Sequence, residues 1–198
     1  MKALLENTPD YVYYRISSIE ITEVSDELIG LMQENSRMCH HLHIPVQSAC
    51  NETLKRMNRP YTIEQFKEKI EYIRSCIPDI SISTDVIAGF VQESDEEFET
   101  TYQNLKDLEL SFFHVFPYSK RNGTKASFLK GEINGKVAKD RVARLIELSN
   151  VSREKDMHRF NPIQVLIERK QDGYYMGYTN QYHPCKILSD EPLSGRIT

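Results

Sequence analysis

The feature that most constrains this chain is an alternation of short apolar strands with amphipathic helical stripes, repeated four times and then abandoned. Tyr14-Arg15-Ile16-Ser17-Ser18-Ile19 reads as a first strand. Ser25 then suits an N-cap, with Asp26 and Glu27 in the first turn and Leu28, Leu31 and Met32 on one face. His41 to Val46 reads as a second strand, followed by a short helix around Leu54 and Met57 and a longer one opened by the capping-box pair Thr62 and Gln65, with Phe66, Ile70 and Ile73 at helical spacing. Ile80 to Ile87 is the third strand. Ser94 and Glu97 repeat the capping box ahead of Phe98, Thr101, Tyr102, Leu105 and Leu108, and Phe112 to Phe116 form a fourth strand stopped by Pro117. A longer helix begins near Asn134 and carries Val137, Val142, Leu145, Leu148 and Val151. Four β–α units in a row predict a parallel sheet with right-handed crossovers, hence an α/β barrel or a doubly wound sheet.

From Ile163 the period changes to strand-like alternation, and Asp172-Gly173 ahead of Tyr174 to Thr179 is a two-residue hairpin signal. We therefore expect two domains, an α/β domain over 1–160 and a small antiparallel β domain over 161–198, with the boundary at Phe160-Asn161-Pro162. The 198 residues carry 39% hydrophobic side chains and contain no apolar run of the roughly 20 residues a membrane span needs. Met1 to Asn7 lack the pattern of a secretion signal, so a cytoplasmic protein is expected. The net charge of −4 is unevenly spread. Residues 1–117 hold 10 Lys and Arg against 20 Asp and Glu, residues 118–159 hold 11 against 5, and the remainder 4 against 4. A basic block in an acidic chain is a candidate polyanion contact, although a solvated helix face is the commoner reason for such a run.

In parallel α/β folds the ligand site forms beyond the carboxyl ends of the strands. Polar residues crowd those ends here: Ser17, Ser18 and Glu20; Gln47 and Ser48; Asp85, Gly89 and Glu93; Tyr118 and Ser119. Asp85 also suits a buried acid fixing a loop, Glu93 a solvated residue ahead of a cap, and Gly89 a plain turn glycine. The most metal-like pattern is Cys39, His41 and His43, which share one face of a strand, with His114 as the natural fourth ligand. Cys39, Cys50, Cys76 and Cys185 have no paired spacing and read as reduced thiols.

Five ordered blocks carry a resemblance: Arg15-Ile16-Ser17-Ser18-Ile19-Glu20, His41 to Ser48, Leu54 to Thr62, Thr84 to Phe90, and His114 to Thr124. In order and across most of the chain they resemble radical S-adenosylmethionine tRNA methylthiotransferases, and His114-Val115-Phe116-Pro117-Tyr118-Ser119-Lys120-Arg121 looks most like the branch acting on threonylcarbamoyladenosine. The tail from Ile163, with Asp172-Gly173-Tyr174 and Gly177-Tyr178-Thr179-Asn180, resembles the start of a TRAM domain, the small RNA-binding β-barrel that ends these enzymes. The resemblance implies the C-terminal part of a radical-SAM partial TIM barrel, four βα units lacking the first strands and the CxxxCxxC cluster loop, followed by an incomplete TRAM-like domain. It implies S-adenosylmethionine and 4Fe-4S clusters in the parent enzyme, with the cluster ligands absent from this chain, and no catalytic residue in the piece itself.

Carried over residue by residue, Gln47, Ser48, Arg59, Asp85, Gly89, Phe116 and Tyr118 would line the cofactor and substrate cleft. Lys120, Arg121, Lys125 and Tyr178 would meet tRNA near its anticodon. Ala49, Val91 and Gln92 stand where the family commonly has Gly, Pro and Gly, which bears on the shape of those loops. The implied partners are tRNA and the missing N-terminal half, and exposed sheet edges invite self-association. Two rival readings remain open: a metal-dependent α/β-barrel enzyme built on Cys39, His41 and His43, and a non-catalytic RNA-binding protein using the basic block and the tyrosines of the tail.

Overall fold

A computed structural model describes residues 1–160 and 164–193. The expected boundary residues Asn161 and Pro162, and Ile163 with them, lie outside the described residues, as do 194–198. The chain opens with a helix that the sequence pattern did not announce, α1 (Lys2–Asn7), joined to the sheet through Arg37, whose guanidinium donates to the carbonyls of Leu5, Thr8 and Pro9. Four strands, β1 (Tyr14–Ile16), β2 (Met38–His43), β3 (Ser81–Ala88) and β4 (Phe112–Pro117), pair in that order and all in parallel. Between and after them run α2 (Asp26–Glu34), α3 (Asn51–Arg56), α4 (Ile63–Cys76), α5 (Asp95–Leu108) and α6 (Gly135–Met157).

The helix starts fall where the caps put them. The Ser25 hydroxyl accepts from the Leu28 amide at 3.2 Å, and reciprocal capping boxes close at Thr62 with Gln65 and at Ser94 with Glu97. β1 stops three residues short of the apolar run, and β2 ends before Pro45, which has no amide to give a ladder. Alternation then divides the sheet into two faces. Leu42, Ile44, Ile82, Val86 and Phe113 point to one side, where Phe66, Ile70 and Ile73 of α4, Leu105 of α5 and Leu145 of α6 bury them in one cluster. Cys39, His41 and His43 of β2, Ser81, Ser83 and Asp85 of β3, and Phe112 and His114 of β4 point to the other, where the end of α6 and the tail cover Ser81, His41 and Phe112 while His114 stays exposed.

The second sheet is antiparallel, β5 (Val165–Gln171), β6 (Tyr174–Thr179) and β7 (Pro184–Ile187). Its first turn has positive φ at both Asp172 (50°) and Gly173 (81°), the two-residue type I′ geometry that the Asp-Gly pair predicts. β5 and β6 approach so closely at Gly177 that an added Cβ would lie 2.1 Å from the Leu166 carbonyl oxygen. Val165, Ile167 and Tyr175 make a small separate core.

The β domain is clasped to the amino ends of the parallel strands. Asp156 at the end of α6 is buried, and its carboxylate accepts from the Ser81 hydroxyl at the start of β3, from His183 Nε2 at 2.8 Å and from Arg159 at 2.6 Å. Burial raises the Asp156 pKa, but the hydrogen bonds from His183, Ser81 and Ser111 outweigh it and hold the carboxyl below its ordinary value. Asn180 accepts from the His40 amide at 3.2 Å, and Tyr182 lies between His41, with centroids 5.1 Å apart, and the Arg15 guanidinium, 3.5 Å from its ring centre.

Because the Asp156 pKa is depressed in the folded state, its stabilisation should be complete above the ordinary value near 3.8 and drain away as pH falls through the depressed one. Truncating its partner, His183→Ala, should cost about 3–5 kcal/mol in urea titrations at neutral pH, because a buried carboxylate loses one of the donors that compensate its desolvation. A loss below ~1 kcal/mol would show that the clasp contributes little.

Candidate functional site

Two surfaces are available for chemistry: the uncovered face of the parallel sheet and the loops beyond its carboxyl ends. On the open face the register sets Asp85 directly beside His114 and His43 beside Ser83. The Ser83 hydroxyl sits between His41 Nε2 at 3.0 Å and His43 Nδ1 at 2.9 Å, and the far nitrogen of His43, Nε2, is 3.1 Å from Asp85 Oδ1. The His43 and His114 rings are 5.5 Å apart, and His114 packs edge-on to Phe112. Burial, with the positive charge of Arg15 and the neighbouring His43 and His183, lowers His41 to about 3, so it is neutral at every physiological pH. Burial also lowers His114, against the pull of Asp85.

Cys39 and His41 do not join this set. The expected Cys39, His41, His43 grouping is corrected by the register: among the described residues the group whose ligand atoms lie within 4.8 Å of one another is His43, Asp85 and His114. Side chains two apart on one strand are separated by nearly 7 Å of rise, whereas neighbours on adjacent strands are about 4.8 Å apart. Three ligands gather more readily across a sheet than along it. His114 is the one fourth-ligand candidate from the sequence that the fold brings in.

Beyond the carboxyl ends lies a cleft of about 360 Å³, lined by Gln47, Lys55, Arg56, Arg59, Ile87, Phe90 and Lys125 among others. It is basic, although Arg56 is engaged by Glu97 at 2.5 Å and Arg59 by Glu20 at 2.9 Å. Gln47 sits at φ 63° with its backbone stitched to β3, its amide donating to Asp85 O and its carbonyl accepting from Ile87. Gln92, also left-handed at φ 62°, ties the neighbouring loop to residues 130 and 131 through its side chain and its amide. Tyr118 packs edge-on to Phe90 at 4.9 Å, and its buried hydroxyl has no hydrogen-bond partner among the described residues.

Of the residues the sequence nominated, Gln47, Arg59 and Lys125 line this cleft, with Tyr118 behind its Phe90 wall. Asp85 belongs to the histidine cluster, and Phe116 is half exposed at the end of β4. Two face elsewhere. Ser48 is fully buried, with its hydroxyl 3.1 Å from Thr101 of α5. Gly89, at φ 73°, is where α6 comes closest, since a Cβ there would be 2.9 Å from the Ala138 Cβ; its amide donates to the Glu93 carboxylate. Tyr178 stacks on Tyr182 at 4.6 Å beside a second cleft of about 240 Å³, at the opposite end of the sheet from Lys120, Arg121 and Lys125.

Sequence reasoning missed Arg141. It lies in a basic helix that looks solvent-exposed, yet it is buried and pairs with Glu93 at 2.7 Å and Asp95 at 2.6 Å, fixing the loop between β3 and α5. Burial pushes the Glu93 carboxyl up, while the Gly89 amide and Arg141 pull against it. The only available signal was Arg141 falling four residues before Leu145, on the buried stripe of α6.

The four cysteines stay apart, on β2, ahead of α3, at the end of α4 and on β7, all as free thiols. Three thiolates cannot meet one iron–sulfur cluster among the described residues, so the chain does not fit that group. The cleft itself offers the Phe90 ring, the Gln47 amide and the Arg56 and Arg59 guanidiniums, each guanidinium already paired with a glutamate.

An open parallel sheet backed by helices on one side, with a polar face on the other and a basic cleft at its carboxyl ends, defines a segment of an α/β barrel enzyme. The radical SAM superfamily profile matches residues 2–105, and the chain belongs to that superfamily. Its relatives within it are tRNA methylthiotransferases. The chain is 36% identical over 190 residues to the threonylcarbamoyladenosine tRNA methylthiotransferase MtaB of Bacillus subtilis, covering 92% of this chain and 42% of that protein. It is 41% identical over 140 residues to the MtaB of Aquifex aeolicus, covering 71% of this chain and 34% of the relative. A tRNA-2-methylthio-N(6)-dimethylallyladenosine synthase of Thermoanaerobacter is 38% identical over 180 residues, 88% of this chain and 38% of the relative. The chain thus spans about two-fifths of the length of the curated relatives it matches. Among solved structures the coproporphyrinogen III oxidase HemN of Escherichia coli superposes with a TM-score of 0.61 at 19% identity, over 76% of this chain and 35% of that one, a likeness of fold.

Replacing Glu93 with Leu leaves Arg141 buried beside Asp95 alone and should cost about 3–5 kcal/mol by urea denaturation. Adding Arg141→Met should restore most of that loss, because the uncompensated charge leaves with it. A double variant no more stable than Glu93→Leu would show that packing, not charge, dominates there.

Proposed function

We propose that this chain is the substrate-side part of a tRNA methylthiotransferase whose whole form adds a methylthio group to a modified adenosine next to the anticodon. The observation that carries the reading is the 36% identity over 190 residues to a tRNA methylthiotransferase, together with an open polar sheet face that has no cluster ligands of its own. The segment from His114 to Thr124 favours threonylcarbamoyladenosine as the base. Gln47, Arg59, Phe90 and Tyr118 would hold S-adenosylmethionine, which when bound supplies the radical and the methyl group. In this chain the Arg59 guanidinium, steadied by Glu20, would turn its remaining N–H groups to a carboxylate, and Tyr118 would act by backing the Phe90 wall. Lys120, Arg121, Lys125 and, farther off, Tyr178 would meet tRNA, the last in an incomplete TRAM-like domain over 161–198 that follows a partial barrel, residues 1–160, lacking its first strands and cluster loop. The place of action is the cytoplasm; no helix among the described residues is long and apolar enough to cross a membrane.

A cysteine-bearing half would be supplied by another segment, and the outer edges of β1 and β4, unpaired among the described residues, are where barrel strands or a second copy would add. Light scattering of the chain alone should report a mass above one copy.

Anaerobic reconstitution of the chain with iron and sulfide should give no stoichiometric 4Fe-4S cluster and no 5′-deoxyadenosine. Activity on tRNA should appear only when a cysteine-bearing N-terminal half is added. Turnover by the chain alone would overturn this reading. Replacing Lys120, Arg121 and Lys125 with Ala should weaken tRNA binding and flatten its salt dependence by roughly 0.9 for each phosphate no longer neutralised. An unchanged slope would move the RNA-binding surface elsewhere.

A further inference from the structure

We propose that the open face of the parallel sheet holds a divalent transition-metal site formed by His43, Asp85 and His114, none of which lines the basic cleft at the strand ends. The three residues come from three adjacent strands, and their ligand atoms lie within 4.8 Å of one another. His43 Nε2 and Asp85 Oδ1 are 3.1 Å apart, the spacing of two neighbouring ligands around an ion bound at about 2.1 Å. Asp85 and His114 are paired partners in the β3–β4 ladder, so both side chains leave the same face at the same height.

The support behind the ligands is that of a metal site. His43 turns Nδ1 to the Ser83 hydroxyl at 2.9 Å, which fixes its ring and leaves Nε2 directed at Asp85. Ser83 is itself held by His41 Nε2 at 3.0 Å, so the ligand histidine is oriented by a hydroxyl that is oriented in turn, all on buried or half-buried strand backbone. The His43 and Asp85 side chains retain 12% and 26% of their exposure, and His114 is exposed, which leaves open coordination positions on the uncovered side of the sheet. Two imidazoles and one carboxylate with open positions suit first-row divalent ions such as zinc, cobalt or ferrous iron rather than calcium or magnesium. Nothing in this depends on the tRNA reading, and the site is complete within the chain.

The alternative is an ordinary His43–Asp85 ion pair with His114 standing idle, and metal titration separates the two. Purified full-length chain, stripped with chelator, is titrated with Co²⁺ while its visible d–d absorption is followed, and bound Zn²⁺ is counted by elemental analysis after desalting. The expected result is one ion per chain and a nitrogen–oxygen cobalt spectrum without thiolate charge-transfer bands. Asp85→Asn, close to isosteric, and His114→Ala, at an exposed position, should each weaken Co²⁺ binding at least tenfold with unchanged circular dichroism. Ser83→Ala should weaken it by roughly 10–100-fold, because the ligand histidine is no longer held in place. Cys39→Ser should leave it unchanged. No retained ion, binding that survives both Asp85→Asn and His114→Ala, or binding abolished by Cys39→Ser would each overturn the proposal.

Discussion

The register of β2, β3 and β4 is the constraint on which the rest of the molecule depends. Because side chains alternate along a strand, pairing His43 with Ser83 and Asp85 with His114 sends Leu42, Ile82, Val86 and Phe113 into the helices at the same stroke. A slip of one residue would drive three histidines and an aspartate into an apolar core and expose the isoleucines. The open face is therefore polar as a direct consequence of how the covered face is packed.

The loops at the carboxyl ends inherit their shape from that sheet. Gln47 and Gln92 hold left-handed conformations that glycine would adopt without strain, and each is compensated by a bond: Gln47 through its backbone pairs with β3, Gln92 through its amide and side chain to residues 130 and 131. Gly89 keeps its glycine because α6 passes where a side chain would be. Glu93 and Arg141 then lock the same loop to α6 from inside. A buried ion pair is weak evidence for stability but a good device for fixing one loop geometry. The basic cleft is thereby given a rigid floor.

At the other end the β domain is attached by polar contacts, not by a shared core. Among the described residues its core is Val165, Ile167 and Tyr175 with Cys185, Ile187 and Leu193 packed against them, and the Asp156, His183 and Ser81 network with the Arg15, Tyr182 and Tyr178 stack supplies the attachment. This places Tyr178 and Tyr182 at the amino ends of the strands, whereas the basic loop follows the carboxyl end of β4.

The sequence by itself determined the strands, the capped helix starts, the Asp-Gly hairpin and the division into a parallel and an antiparallel part, because those depend on periodicity and local hydrogen bonds among residues a few positions apart. It also determined that no cysteine spacing suits an iron–sulfur loop. The short first helix stayed hidden because its stability comes from Arg37, distant in sequence. Only the tertiary structure decided that Asp85 and His114 meet His43 while Cys39 does not, that Arg141 is buried, and that Ser48 faces α5. Those outcomes follow from strand register and from which face of α6 packs inward, quantities set by pairings such as His41 with Ser83, 42 positions apart, and Ser81 with Asp156, 75 positions apart, and no local pattern encodes such distances.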